Sequence, residues 1–204
     1  MKITILRLQP HEGGVVTIRI DPSQGWRTVQ ERLDRTSDSR HRAMLETVVG
    51  HMKAEANLEL EGLLDGQVAE PEYHLWGSGT DTGPKGGDAV RAYYTALVEA
   101  KRGILEYGIE RIVVDDDTIV TEGYIRAYQP ASVARDFGYD IDGEDGTYLV
   151  TYRALVIWPF NADGLLRGED GYAGINPADA ERVPRSELPA AYVAQFEESE
   201  LVSL

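Results

Sequence analysis

The chain has 204 residues, enough for one domain with extensions or two small ones. Its 35 acids outnumber 20 Lys and Arg, a formal net charge of −15; such a surface repels phosphate backbones and anionic lipid heads, so neither nucleic acid nor membrane is expected as a partner. There is no Cys, which excludes disulfides, thiol nucleophiles and Cys-ligated zinc, and with four His any metal site would rest largely on carboxylates.

Ile3 to Leu8 and Val15 to Ile20 are β-rich runs around a turn cluster containing Pro10, Gly13 and Gly14, a pattern that predicts a hairpin. The first run alternates too soon for a signal-peptide core, and no apolar stretch approaches the roughly 20 residues of a membrane span, so a cytoplasmic protein is expected. Trp26 to Arg35 reads as a short helix, and Thr36 to Ser39 supplies N-cap residues for a second, longer one. From 40 to 64 the spacing predicts one long helix. Met44, Val48, Met52, Ala56, Leu60 and Leu64 recur every four residues, and Asp65-Gly66 ends the run.

After Pro71, Tyr73 to Trp76 is strand-like, and Gly77 to Gly87 is a loop by composition. Asp88 is a suitable N-cap for a further helix with Val90, Tyr93, Tyr94, Leu97 and Val98 on one face. Strands are predicted at Ile109 to Val114, Thr118 to Tyr128, Thr147 to Trp158 and Leu165 to Ala173, with a Gly- and Asp-rich excursion at Gln129 to Gly146. Beyond Gly174 a polar tail carries Pro177, Pro184 and Pro189 and ends in a helical pattern over Ala190 to Leu201, suited to docking or to a dimer arm. Helices followed by consecutive strands predict an α+β fold with an antiparallel sheet. The expected organisation is an N-terminal extension over 1–39, a domain over 40–174 and a tail over 175–204. No GxGxxG or Walker pattern occurs, and no cofactor is expected.

Four blocks resemble, in order and spacing, the SnoaL-like branch of the NTF2-like superfamily, which includes polyketide cyclases and ketosteroid-isomerase-like proteins. They are HMKAEANLELEGLLD with PEYHLWG, GGDAVRAYYTAL, IERIVVDDDTIVTEG, and ALVIWPFNADGLLRGEDGYAG. The resemblance implies a cone-shaped α+β barrel, its curved antiparallel sheet wrapped around helices and leaving a deep apolar pocket. Members include isomerases, dehydratases, cyclases, epoxide hydrolases and non-catalytic binding proteins, so fold does not select a reaction. Where the family closes on Tyr-Phe-Asp, this chain has Tyr172-Ala173-Gly174, and an acid is missing.

His51 and Glu55 are four apart at one edge of the apolar helical stripe, with Glu59 continuing the row. A His–Glu pair there supplies a general base with an orienting carboxylate, or simply a boundary ion pair. HxxxE offers two metal ligands, but no third is visible, so no metal is expected. Alternation puts His74 and Trp76 on one face of their strand and Tyr73 on the other, as an aromatic pocket wall or as core. Glu122, between Val120 and Tyr124, faces either the pocket, as an acid or base of raised pKa, or the wet side of the sheet. Tyr152 and Trp158 share a face; Tyr93, Tyr94 and Tyr148 read as core. Parity sets Glu169 and Tyr172 on opposite faces, and Arg126 and Arg153 are available to pair with Glu122 or Glu169. No GxSxG occurs, so nucleophilic catalysis is not expected.

The leading expectation is a pocket protein acting on a small apolar, polyketide- or steroid-like molecule by acid–base isomerisation, cyclisation or dehydration. Its catalytic residues would be His51, Glu55 and Glu122, and Tyr73, Trp76, Tyr124, Tyr152 and Trp158 would shape the pocket. The alternative is a non-catalytic binding or dimerisation module of the same fold, and a homodimer is expected under either. An enclosed cavity over about 300 Å³ beside His51 and Glu55 favours the first; a pocket filled by Tyr and Trp rings excludes it.

Overall fold

The computed structural model describes residues 19–189, except Ser78, Lys101 and Glu144, together with Tyr192 and Val193. The predicted N-terminal hairpin and most of the predicted C-terminal helix lie outside these residues. Among the described residues, five α-helices and five strands follow one another as α1 (Gln24–Asp34), α2 (Ser39–Asn57), α3 (Leu60–Leu64), β1 (His74–Trp76), α4 (Gly87–Glu99), β2 (Leu105–Val114), β3 (Thr118–Pro130), α5 (Ala131–Asp136), β4 (Thr147–Pro159) and β5 (Asp170–Val183), with a short 3-10 turn at Arg185–Glu187. The strands form one curved, unclosed sheet in the order β1-β5-β4-β3-β2. The four long strands are an antiparallel meander, as their succession predicts, and β1 adds to the edge of β5 in parallel.

Strand parity decides what the sheet offers to the helices. On β3, Ile119, Thr121, Ile125 and Ala127 are buried, while Glu122, Tyr124 and Arg126 belong to the opposite, convex face. α2 lays Met44, Leu45, Val48, Val49 and Met52 onto the concave face, against Tyr107, Ile119, Ile125 and Trp158. Val29 and Leu33 of α1 join the same core. Asp38 caps α2, its carboxylate accepting from the His41 backbone N–H at 2.9 Å.

The long helix predicted over 40–64 is two helices. Leu58 adopts a left-handed conformation (φ 59°, ψ 40°) and ends α2, its N–H bonded to the Glu55 carbonyl at 3.0 Å. The chain then doubles back as α3, and Gly62 passes close against Ala54. A four-residue apolar period runs unbroken across such a turn, because both helices bury one face into the same interior.

β5 continues through Gly174 to Val183, where the composition predicts a polar tail. β1 covers only its first three residues. Further on, residues 176–179 bulge out of register with β4, so Pro177 interrupts no ladder bond, and its carbonyl accepts from the Asp140 backbone N–H at 2.8 Å. α5 forms inside the predicted excursion by burying Ala131 and Ala134. α4 is capped by Gly86, with Asp88 in its first turn. No helix among the described residues is long and apolar enough to cross a membrane.

Gly168 governs the entry to β5. Its φ is 146°, and a Cβ there would overlap the Glu72 carbonyl oxygen. The flanking backbone is tied by Glu72 N–H to Arg167 O at 2.8 Å and His74 N–H to Glu169 O at 2.7 Å. Gly168→Ala is therefore expected to destabilise the protein by about 2–4 kcal/mol, read as a fall in the urea midpoint at unchanged slope.

Candidate functional site

A cavity of about 430 Å³ lies between the concave face of the sheet and helices α1, α2 and α4. Its wall is mostly apolar and aromatic, with Tyr107, Ile125, Tyr152, Ala154 and Trp158 contributed by the sheet. The charged residues lining it are Glu55 from α2, Arg102 just after α4 and Glu169 just before β5. Trp76 and Tyr172 stack at the rim, their rings 6.5 Å apart and 10° from parallel.

Behind the wall His51 is 3 % exposed. Its Nε2 lies 3.0 Å from Glu169 Oε1 and 3.1 Å from Tyr94 Oη. Tyr94 Oη donates to Glu169 Oε1 at 2.8 Å and lies 3.2 Å from the Tyr73 hydroxyl. Gln67 Nε2 donates to that Tyr73 oxygen at 3.0 Å and to the Leu63 carbonyl at 2.6 Å. Gln67 donates to Tyr73, the two phenols are in hydrogen-bond contact, and Glu169 accepts from Tyr94 and from His51. The imidazole is held edge-on by Tyr94 and Trp158, with centroids at 5.5 and 5.6 Å.

No protein-family model matches the chain, and no curated protein matches it. Solved structures do resemble it. A candidate SnoaL-like polyketide cyclase from Shewanella denitrificans OS-217 aligns at 14% identity over 64% of this chain and 90% of its own, with a TM-score of 0.50. Another from Jannaschia sp. CCS1 aligns at 13% identity over 68% and 90%, also at 0.50. An NTF2-like protein from Anabaena variabilis ATCC 29413 aligns at 14% identity over 70% and 96%, at 0.49. The fold is NTF2-like.

Within this NTF2-like frame, two environments act on the acids. For His51, burial disfavours the cation, but the hydrogen bond and charge of Glu169, helped by Glu55, outweigh it and raise the pKa. Glu55 has no hydrogen-bond or ion-pair partner among the described residues. Burial pushes its carboxyl up to about 7, opposed by the His51 charge and reinforced by Glu169. Burial, together with the Glu169 charge, also raises the phenols of Tyr73 and Tyr94, which stay protonated donors.

Of the residues expected from sequence, Glu55, Trp76, Tyr152 and Trp158 line the cavity. His51 and Tyr73 lie one layer behind it, joined through Tyr94. Glu59 is exposed at the start of α3. Glu122 and Tyr124 are elsewhere, on the convex face, because β3 turns its odd-numbered residues inward. There Glu122 pairs with Arg111 and accepts from Arg153 Nη2 at 2.7 Å. The Arg153 hydrogen bonds, against some desolvation and with the Arg111 charge, hold its carboxyl below the usual range, the reverse of the expected rise. Tyr124 lies under the Arg153 guanidinium at 4.7 Å. Arg126 takes Glu106 at 3.0 Å.

Glu169 shares the parity of Gly171, Ala173 and Ile175, which also line the cavity, while Tyr172 on the other parity is exposed and meets the cavity at its rim, beside Trp76. Tyr94 carries no sequence signal, since a Tyr in an apolar helical stripe looks like any core aromatic. Arg102 carries none either.

Glu55 makes stability depend on pH. Its folded pKa exceeds its unfolded one, so the contribution is complete below about 4.5 and is lost as pH rises through about 7. Glu55→Gln removes the charge that must be buried at high pH. The variant is expected to exceed the wild type by about 1–3 kcal/mol at pH 8 and to lose that margin at pH 4, measured by urea unfolding at both pH values.

Proposed function

We propose that the protein moves a proton on a small, largely apolar carbonyl compound in this cavity, as an isomerase, cyclase or dehydratase. The observation that carries the reading is Glu55: a carboxylate without a partner among the described residues, in an apolar cavity, with a pKa of about 7. Such a group is part ionised at neutral pH and serves as base in one step and acid in the next. At about 430 Å³ the cavity is within the size range of small-molecule sites and is not filled by its aromatic rings.

His51, behind the wall, acts as a positioning residue: with Tyr94 it fixes Glu169, the second cavity carboxylate. Removing a proton next to a carbonyl places charge on its oxygen, which needs a donor. Tyr93 and Tyr152 both line the cavity, and burial holds both phenols protonated. The SnoaL-like neighbours are described as candidate polyketide cyclases, a chemistry of this class. A homodimer, if formed, has the convex sheet face available, where Val113 and Tyr124 are exposed.

The test is hydrogen–deuterium exchange next to the carbonyl in a panel of bicyclic and steroidal ketones, followed by mass spectrometry in D₂O at neutral pD. The wild type is expected to exceed Glu55→Gln by about 100-fold or more. Equal rates in the two proteins would sink the proposal. Binding of a ketone without exchange points to the non-catalytic module instead.

A further inference from the structure

We infer that the cavity takes an apolar molecule bearing one carboxylate, held at the mouth by Arg102. This rests on the cavity being a ligand site, as the proposed function has it, but not on any reaction taking place there.

Arg102 is the single cation among the described lining residues, and it is exposed, whereas the apolar wall is mostly buried. Its side chain has no acid or carbonyl partner among the described residues, in a chain whose net charge is −15. Cations on neighbouring elements are engaged. Lys53 sits over the Trp26 ring at 4.7 Å, Arg91 takes Glu61 at 2.8 Å, and Arg153 takes Glu122 at 2.7 Å and Glu110 at 2.5 Å.

The backbone at Arg102 is anchored while its guanidinium is left over. Its N–H closes the end of α4 on the Leu97 carbonyl at 2.9 Å. Gly103 packs so tightly on the Glu55 carbonyl that a Cβ would overlap it. The two charges thus come from segments in direct contact, yet Arg102 does not pair with Glu55. Arg102 lines the cavity together with Tyr93.

Charge also sets orientation. Glu55 and Glu169 repel an anionic head from their part of the wall, and Arg102 attracts it to the mouth, leaving the apolar body against the aromatic wall. One guanidinium matches one carboxylate through two parallel hydrogen bonds. A phosphate dianion would keep oxygens unpaired and meet the repulsion of a strongly acidic protein.

Isothermal titration at pH 7.5 and low salt with naphthalene-2-acetate and its neutral amide tests this. The wild type is expected to bind the acetate about tenfold tighter than the amide. Arg102→Gln should abolish the preference without weakening the amide, and Arg102→Lys should keep part of it. Equal affinities in the wild type, or a preference that survives in Arg102→Gln, would overturn the inference. So would tighter binding of naphthalene-2-methylphosphonate than of the acetate. Failure of every probe to bind overturns it together with the reading of the cavity as a ligand site. Acid preference without ketone exchange leaves it standing and removes only the catalytic reading.

Discussion

The hydrogen bond between His51 and Glu169 ties the middle of α2 to the entry of β5, and the site is arranged around it. A buried carboxylate must be matched by donors, because leaving it unpaired in a low-dielectric interior costs several kcal/mol. Here the donors come from elements far apart in the chain: His51 from α2 and Tyr94 from α4, supported by Tyr73 before β1 and Gln67 after α3. The network therefore fixes how α2, α4 and the β1–β5 edge sit relative to one another.

That constraint divides the acids of the interior into two kinds. Glu169 is satisfied by donors and immobilised. Glu55, one helical turn beyond His51, shares the electrostatics but not the hydrogen bonds, and burial brings its carboxyl to about 7. The contrast between a held carboxylate and an unheld one within one apolar cavity separates this site from an ordinary buried ion pair. Where arginines are plentiful, as around Glu122 on the convex face, a carboxylate becomes a conventional surface ion.

Much of the fold is legible in local pattern. The β-branched runs of β3 and β4 and the helical stripe of α2 each state their own periodicity, and Asp38 announces the start of α2. Places where tertiary packing overrides local pattern are not legible. Leu58 turns left-handed within an unbroken apolar period, and β5 runs on past Asn176 and Pro177 because they fall in a bulge that breaks no ladder bond with β4. The site divides likewise. His51 and Glu55 stand out as polar residues beside an apolar stripe. Tyr94 and Arg102 do not, since one resembles core and the other resembles any surface cation. Glu122 shows the converse, for a carboxylate between apolar neighbours on a strand fits either face until the sheet is packed.

By itself, the amino-acid sequence determined the α+β class, the meander of long strands, the acidic surface and the His51–Glu55 spacing, because all of these depend on composition or on periods shorter than one element. The tertiary structure alone decided which face of β3 turns inward, that Glu169 and not Glu122 is the second carboxylate of the cavity, and that Arg102 is left without a partner among the described residues. Those outcomes depend on contacts between segments as distant as His51 and Glu169, whose pairing is chosen by the packing of the whole sheet against its helices.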